Sequence, residues 1–247
     1  MATITGTSGN DTIYPNSVSG GVTGGAPGLG DDSIDAGNGN DSVFASDGND
    51  TLNGGGGFDR LFGGSGDDLL FGGSGEDRLY GGAGNDSGDG GADFDVLAFS
   101  TFTTDGAVSV TVTNVGGVNT AISTSAFANQ GSDTFTNIEA IAGSLNGDTI
   151  NVSSVNTNSF NFHVFGGSGS DVLFAPTTPN TQVFADYRDS SVTAGVVVDL
   201  ALGSATDGKG GTDTISNFVA VRGTDLDDTL LGTALADRFR GRGGDDV

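Results

Sequence analysis

The sequence has no cysteine, no tryptophan, one histidine, four prolines, and eight basic residues against 32 acidic ones. Without cysteine there is no disulfide framework, thiolate metal site or cysteine nucleophile. Neither G-x-S-x-G, H-E-x-x-H nor a phosphate-binding loop occurs, so no common hydrolase or nucleotide motif is present. The shortage of bases leaves a formal charge of −24. Phosphate backbones and anionic membrane surfaces would be repelled by it, and cations would be attracted. No apolar run approaches the ~18 residues of a membrane span. The opening "MATITGTSGND" has neither the basic nor the apolar segment of an ordinary secretory leader.

What is abundant is glycine, 46 of 247 residues, without the strict triplet period of collagen. The glycines follow a nine-residue period. Ile34, Val43, Leu52, Leu61, Leu70 and Leu79 stand nine apart, and the next two positions hold Gly88 and Leu97. Two residues before each stands an aspartate: Asp32, Asp41, Asp50, Asp59, Asp68, Asp77, Asp86 and Asp95. The unit reads G-G-x-G-x-D-x-U-x, with U apolar, and is clearest in "GGSGDDLLF" and "GGSGEDRLY". A separate unit, "GTSGNDTIY", sits at 6–14 in a register shifted by three residues. Another, "GGSGSDVLF", sits at 166–174, and "GTDLDDTLL", "GTALADRFR" and "GRGGDDV" close the chain.

This pattern resembles the nonapeptide repeat of the RTX, or haemolysin-type calcium-binding, family. The resemblance implies an all-β fold, a right-handed parallel β-roll or β-helix solenoid with Ca2+-binding turns. The residues agree with it. Three glycines per nine residues oppose a helix and permit left-handed turns. The x-U-x tail suits a strand of about three residues with U facing inward. Two units then form an 18-residue coil, and stacked coils bury the U column between two sheets. One buried leucine per nine residues is too little to order nine backbones. The turns also crowd aspartates along each edge, so a cation is needed to fold them. An oxygen-only ligand set without histidine or cysteine suits calcium, which accepts six to eight oxygens with tolerant geometry.

The family's pattern implies that one turn gives carbonyls from positions two and four plus its aspartate. The turn 18 residues on gives carbonyls from positions one and three plus its own. Carried over, Gly55, Gly57 and Asp59 act with Gly72, Ser74 and Asp77, and Gly64, Gly66 and Asp68 with Gly81, Ala83 and Asp86. The neighbouring sites join Asp41 to Asp59, Asp50 to Asp68, Asp77 to Asp95 and Asp32 to Asp50. They draw on Gly28, Gly30, Gly37, Gly39, Gly48, Gly54, Gly56, Gly63, Ser65, Gly73, Gly75, Gly90 and Ala92. Pairing eight turns at this distance gives about six ions. Asp11, Asp171 and Asp228 are further candidates, as are Asp246, Gly241 and Gly243 at the end of the chain.

Five segments follow: a nonapeptide β-roll over 1–98, a long β-rich coil unit over 99–165, the isolated nonapeptide 166–174, a second long unit over 175–222, and nonapeptides over 223–247 that stop mid-repeat. The long units share an internal repeat: "GSDTFTNIEAIAGSLNGDTI" from Gly131 aligns without gaps with "GTDTISNFVAVRGTDLDDTL" from Gly211. They read as larger coils of one solenoid. Gly88, in an apolar position, predicts a weak coil. Phe44, Phe62 and Tyr80 should stack on an outer face beside Arg60 and Arg78. His163, in "FNFHVF", should face away from Phe160, Phe162 and Val164 in a structural or exposed role.

The functional expectation is a non-enzymatic calcium-binding structural module of a secreted or surface bacterial protein, self-associating into a layer or fibre. The resemblance implies type I export. An array beginning near Met1 favours this over the alternative, a folding and secretion module of a larger RTX toxin or exoenzyme. A polysaccharide-acting β-helix enzyme is the third reading, because paired acids hydrolyse glycosides. Its carbohydrate partner has no motif behind it. Calcium is the expected cofactor, with no nucleic-acid partner and no membrane span.

Overall fold

A computed structural model describes residues 2–99, 106–115, 118–125, 131–155, 161–178, 182–188 and 191–247. No helix occurs among these residues. The chain divides into two compact units, 1–101 with 120–138 and 102–119 with 139–247.

In the first unit the chain alternates between two sheets every nine residues. One sheet holds, in spatial order, Thr3–Thr7, Ser33–Gly37, Thr51–Gly56, Leu69–Ser74, Ser87–Ala92 and Thr134–Thr136. The other holds Thr12–Tyr14, Ser42–Asp47, Arg60–Ser65, Arg78–Ala83 and Val96–Ala98. These neighbours are parallel, and the register sets each U residue on the next: Leu52 on Leu70, Leu61 on Leu79. The U side chains from Ile34 through Leu79, together with Ile4 and Ile13, are buried. The unit is a parallel β-roll with its apolar column between two sheets.

Three features differ from the sequence expectation. The strands are longer than three residues: Arg60–Ser65 continues through positions one to three, with Gly64 pairing Gly82 and Ser65 pairing Ala83. Position one faces inward and holds a small residue, glycine in most units and the buried Ala36 and Ala45 in two others. The N-terminal unit joins the array despite its register shift. Ile4 pairs Ile34 and Ile13 pairs Val43, while Ser17–Val18 folds back antiparallel on Thr12–Tyr14 and takes up the extra residues. At Gly88 the coil keeps its pairing. Its strand is paired on both sides, and a Cβ there would lie 2.8 Å from the buried Phe135 ring. Phe135, distant in sequence, fills the column where Gly88 has no side chain.

In the second unit, Thr149–Asn151 lies between Val108–Val115 and Val172–Phe174, and Val172–Phe174 pairs in turn with Thr212–Ser216, all parallel. An antiparallel excursion, Val197–Asp199 and Ser204–Thr206, packs beside Thr212–Ser216. The second sheet holds Ala140–Ala142, Phe162–Phe165, Val183–Asp186, Ala220–Arg222 and Arg238–Arg240. The internal repeat is structural. Thr134–Thr136 and Thr212–Ser216 are equivalent strands, and each is followed by an asparagine at positive φ, Asn137 at 51° and Asn217 at 65°.

Phe44, Phe62 and Tyr80 form the expected ladder. Phe62 and Tyr80 stack at 4.4 Å, and Tyr14 extends the row edge-on to Phe44. His163 lies on the opposite face of its strand from the core residues Phe162 and Val164 and is nevertheless buried. Its ring stacks on Phe184 at 5.1 Å, and its Nδ1 is 2.7 Å from Asp186 Oδ2. Burial pushes the imidazole below its ordinary range, against the pull of Asp186. Arg188 braces the same carboxylate, and Arg222, Arg238 and Arg240 lie over the Phe184 ring. Phe160 lies outside the described residues.

Candidate metal centre

The repeated turn explains its own composition. At positions two and four the backbone enters the left-handed region, as at Gly64 (φ 118°) and Gly66 (φ 129°). A Cβ on Gly64 would run into the Ser46 carbonyl of the preceding coil, and one on Gly66 into the Gly48 carbonyl. These carbonyls therefore press against the next turn at the sites where side chains are missing. At position one, a Cβ on Gly54 would lie 2.5 Å from Asp59 Oδ2 and 2.6 Å from the Gly72 carbonyl. A carboxylate oxygen and a main-chain carbonyl from the next coil thus converge on one cradle.

Each turn aspartate uses its two oxygens differently. One accepts a main-chain N–H from the preceding coil: Asp50 N–H donates to Asp68 Oδ1 at 2.8 Å, and Asp68 N–H donates to Asp86 Oδ1 at 2.9 Å. The same rung joins Asp32 to Asp50, Asp41 to Asp59, Asp59 to Asp77 and Asp77 to Asp95. The second oxygen divides the turns into two kinds. In Asp41, Asp50, Asp59, Asp68, Asp77, Asp86 and Asp171 it is buried with no hydrogen-bond partner. In Asp11, Asp32, Asp148, Asp228 and Asp237 it accepts the N–H four residues earlier, from Thr7, Gly28, Ser144, Thr224 and Thr233.

The backbone at that earlier residue is the cause. It has positive φ in every turn with an unpartnered oxygen: Gly37, Ser46, Gly55, Gly64, Gly73, Gly82 and Gly167. None of the five donors does. A left-handed second residue turns its N–H away and leaves the carboxylate open. An ordinary one caps it. Asp32, paired by sequence with Asp50, thus forms the expected rung but has its outer oxygen held by Gly28. Arg242 at φ 96° gives the Asp246 turn the left-handed second residue.

Open carboxylates are unfavourable when ionised and unpartnered. Burial raises Asp68 to about 8, with Asp86 and Asp50 adding repulsion. Burial raises Asp77 and Asp86 to about 7, and Asp41 and Asp50 to about 6. Such a group takes a proton or a cation. The surrounding oxygens are carboxylates and carbonyls, a hard donor set that fits calcium. Among the described residues no three acidic or imidazole side chains converge as a conventional metal cluster. The cradle instead combines two carboxylates with main-chain carbonyls.

Sequence reading missed Asp133, Asp148 and Asp213. Asp133 Oδ1 accepts Asp86 N–H, Asp148 N–H donates to Asp171 Oδ1, and Asp171 N–H donates to Asp213 Oδ1. The signal was present: each precedes a buried U residue, Phe135, Ile150 or Ile215, by two positions. It was obscured because the separations along these rungs are 47, 23 and 42 residues rather than 18.

No curated protein matches the chain. A family model described as the RTX calcium-binding nonapeptide repeat matches four segments, residues 3–14, 28–61, 62–97 and 222–247. These hold the open turns from Asp41 to Asp86 and the turns of Asp11, Asp32, Asp95, Asp228 and Asp246. Four segments of the chain thus carry the RTX calcium-binding nonapeptide repeat, with the turn geometry described above.

Proposed function

We propose that this chain is a non-enzymatic structural module of a secreted bacterial protein, one that folds when it meets extracellular calcium. The observation that carries the reading is the ladder of buried Oδ2 atoms at Asp41, Asp50, Asp59, Asp68, Asp77 and Asp86, none with a hydrogen-bond donor. Bound calcium supplies the positive charge that these ladders lack. Asp59 and Asp77 would hold it on one edge with carbonyls of Gly55, Gly57, Gly72 and Ser74. Asp68 and Asp86 would hold it on the other with those of Gly64, Gly66, Gly81 and Ala83.

The chain's own residues do the rest. The glycines admit the carbonyls, the rungs keep the aspartates in register, and the U column excludes water. Without the cation, the carboxylates repel along each edge and the single apolar column cannot hold the coils together. Extracellular calcium modules bind at about 10⁻⁴–10⁻³ M, far above cytosolic supply, so folding would report the compartment. Amide hydrogen exchange tests this directly. The strand amides of residues 33–92 should be protected in about millimolar calcium and exchange freely in chelator. Equal protection in both conditions would refute the proposal.

A further inference from the structure

Two complete nonapeptides of the first unit, "GTSGNDTIY" at 6–14 and "PGLGDDSID" at 27–35, are separated by twelve residues, Pro15 to Ala26. Joining Tyr14 to Pro27 would restore the nine-residue step from Ile13 to Ile34, so the repeat itself does not require them. They carry no charge and bring no carboxylate to the turns.

These residues lie along the outer edge of the first coil and bond to both sheets. In one sheet, Thr5 sits in the strand Thr3–Thr7, whose other side pairs with Ser33–Gly37. Thr5 N–H donates to the Thr23 carbonyl at 3.0 Å, and the Thr5 carbonyl accepts Thr23 N–H at 2.9 Å. In the other sheet, Thr12 holds the corresponding place. Its N–H donates to Ser19 Oγ at 2.7 Å, and its carbonyl accepts Ser19 N–H at 2.9 Å. Both contacts are antiparallel, whereas the first coil meets the next one in parallel. Gly24, at φ 94°, lies so close that a Cβ would strike the Thr3 carbonyl.

The carboxylate ladders are closed at the same end. Asp11 heads one edge and Asp32 the other, through their rungs to Asp41 and Asp50. Their outer oxygens are held by Thr7 and Gly28 N–H. This end of the β-roll therefore uses main-chain donors where the array leaves carboxylates open.

An uncovered strand edge is a template for pairing with another chain. A coil that presents one strand of each sheet carries that hazard twice, and a second copy offers strands of the same spacing and twist. We propose that residues 15–26 are a cap that holds a self-pairing edge shut. With the cap in place the first coil does not pair with a second copy of this chain, and without it the coil does. The proposal does not depend on the calcium reading, because the cap is built from hydrogen bonds and contains no aspartate.

Deletion of residues 15–26 from the full chain tests it. In about millimolar calcium, with β-content by circular dichroism equal to that of wild type, sedimentation equilibrium should show a higher weight-average mass. The rise should be at least about twofold over wild type at the same concentrations. Should the shortened chain not fold, Ser19→Pro with Thr23→Pro keeps the length and removes the N–H donors to Thr12 and Thr5. It should give the same rise. Thr5→Pro with Thr12→Pro, added to either variant, removes the outward N–H of each edge strand and should return the mass to that of wild type. Equal mass in wild type and the folded uncapped variant overturns the proposal. So does association that the edge prolines leave unchanged.

Discussion

Asp68 and Asp86 are 18 residues apart and form one rung: the Asp68 amide donates to Asp86 Oδ1 at 2.9 Å, and both Oδ2 atoms are left buried without a donor. The same hydrogen bond that sets coil register thereby aims a carboxylate oxygen into the turn. Register and ion binding are one device.

Neutralising such an oxygen should have opposite effects with and without metal. Asp68→Asn retains the Oδ1 acceptor but offers no charge to a cation. It should lower calcium stoichiometry by native mass spectrometry and lower stability in calcium. In chelator the same variant should lose less β-structure than wild type as pH rises toward 8, because a desolvated charge has been removed. Asp11→Asn, in a turn whose Oδ2 is already held by Thr7 N–H, should leave the stoichiometry unchanged.

The acid dependence of the metal-free protein follows from the raised carboxylates. Asp68 is displaced by burial from 3.8 to about 8 in the folded chain, and Asp77 and Asp86 to about 7. The folded state therefore binds more protons than the unfolded state between these limits. This contribution to stability is complete below about pH 4 and is lost as pH rises through about 8. Circular dichroism in chelator should show any metal-free β-structure to be greatest at acid pH and to fall from pH 5 to pH 8. β-structure that rises with pH in chelator would contradict the assignment of open carboxylates.

Backbone strain gives a pair of substitutions with opposite signs. Ser46 occupies a second position at φ 96°, where its neighbours in the repeat have glycine. Ser46→Gly should stabilise the calcium-bound protein by about 1 kcal/mol. Gly64→Ala must adopt φ 118° and place a methyl against the Ser46 carbonyl, so it should destabilise by more than about 1 kcal/mol. Denaturant midpoints in saturating calcium check both.

The histidine cluster is predicted to matter for stability alone. Asp186 is the shared partner of His163, Arg188 and Arg222. Asp186→Ala leaves buried donors without their acceptor and should cost about 3 kcal/mol. Calcium stoichiometry should not change. A loss of bound ions in this variant would place the cluster in the metal machinery.

The nonapeptide part of the fold was legible because both signals recur at one period. Asp68 and Leu70 announce the same turn and strand that Asp86 and Gly88 complete. Where the coils lengthen, the local grammar survives and the period does not. Asp133 still precedes Phe135 by two residues, but its rung partner Asp86 is 47 residues away, a pairing that only the folded chain displays. Phe135 filling the gap at Gly88 is non-local for the same reason. The distinction between Asp32 and Asp50 was hidden more deeply. It depends on φ at Gly28 and Ser46, and composition points the wrong way: the glycine there is not left-handed and the serine is.

The central claim is that a cation completes this fold. Far-ultraviolet circular dichroism of the full chain, followed from excess chelator into millimolar calcium, tests it most directly. The account predicts a disordered spectrum in chelator and a cooperative transition to β-structure as calcium rises. A full β-spectrum in chelator at pH 8, unchanged by calcium, would contradict it.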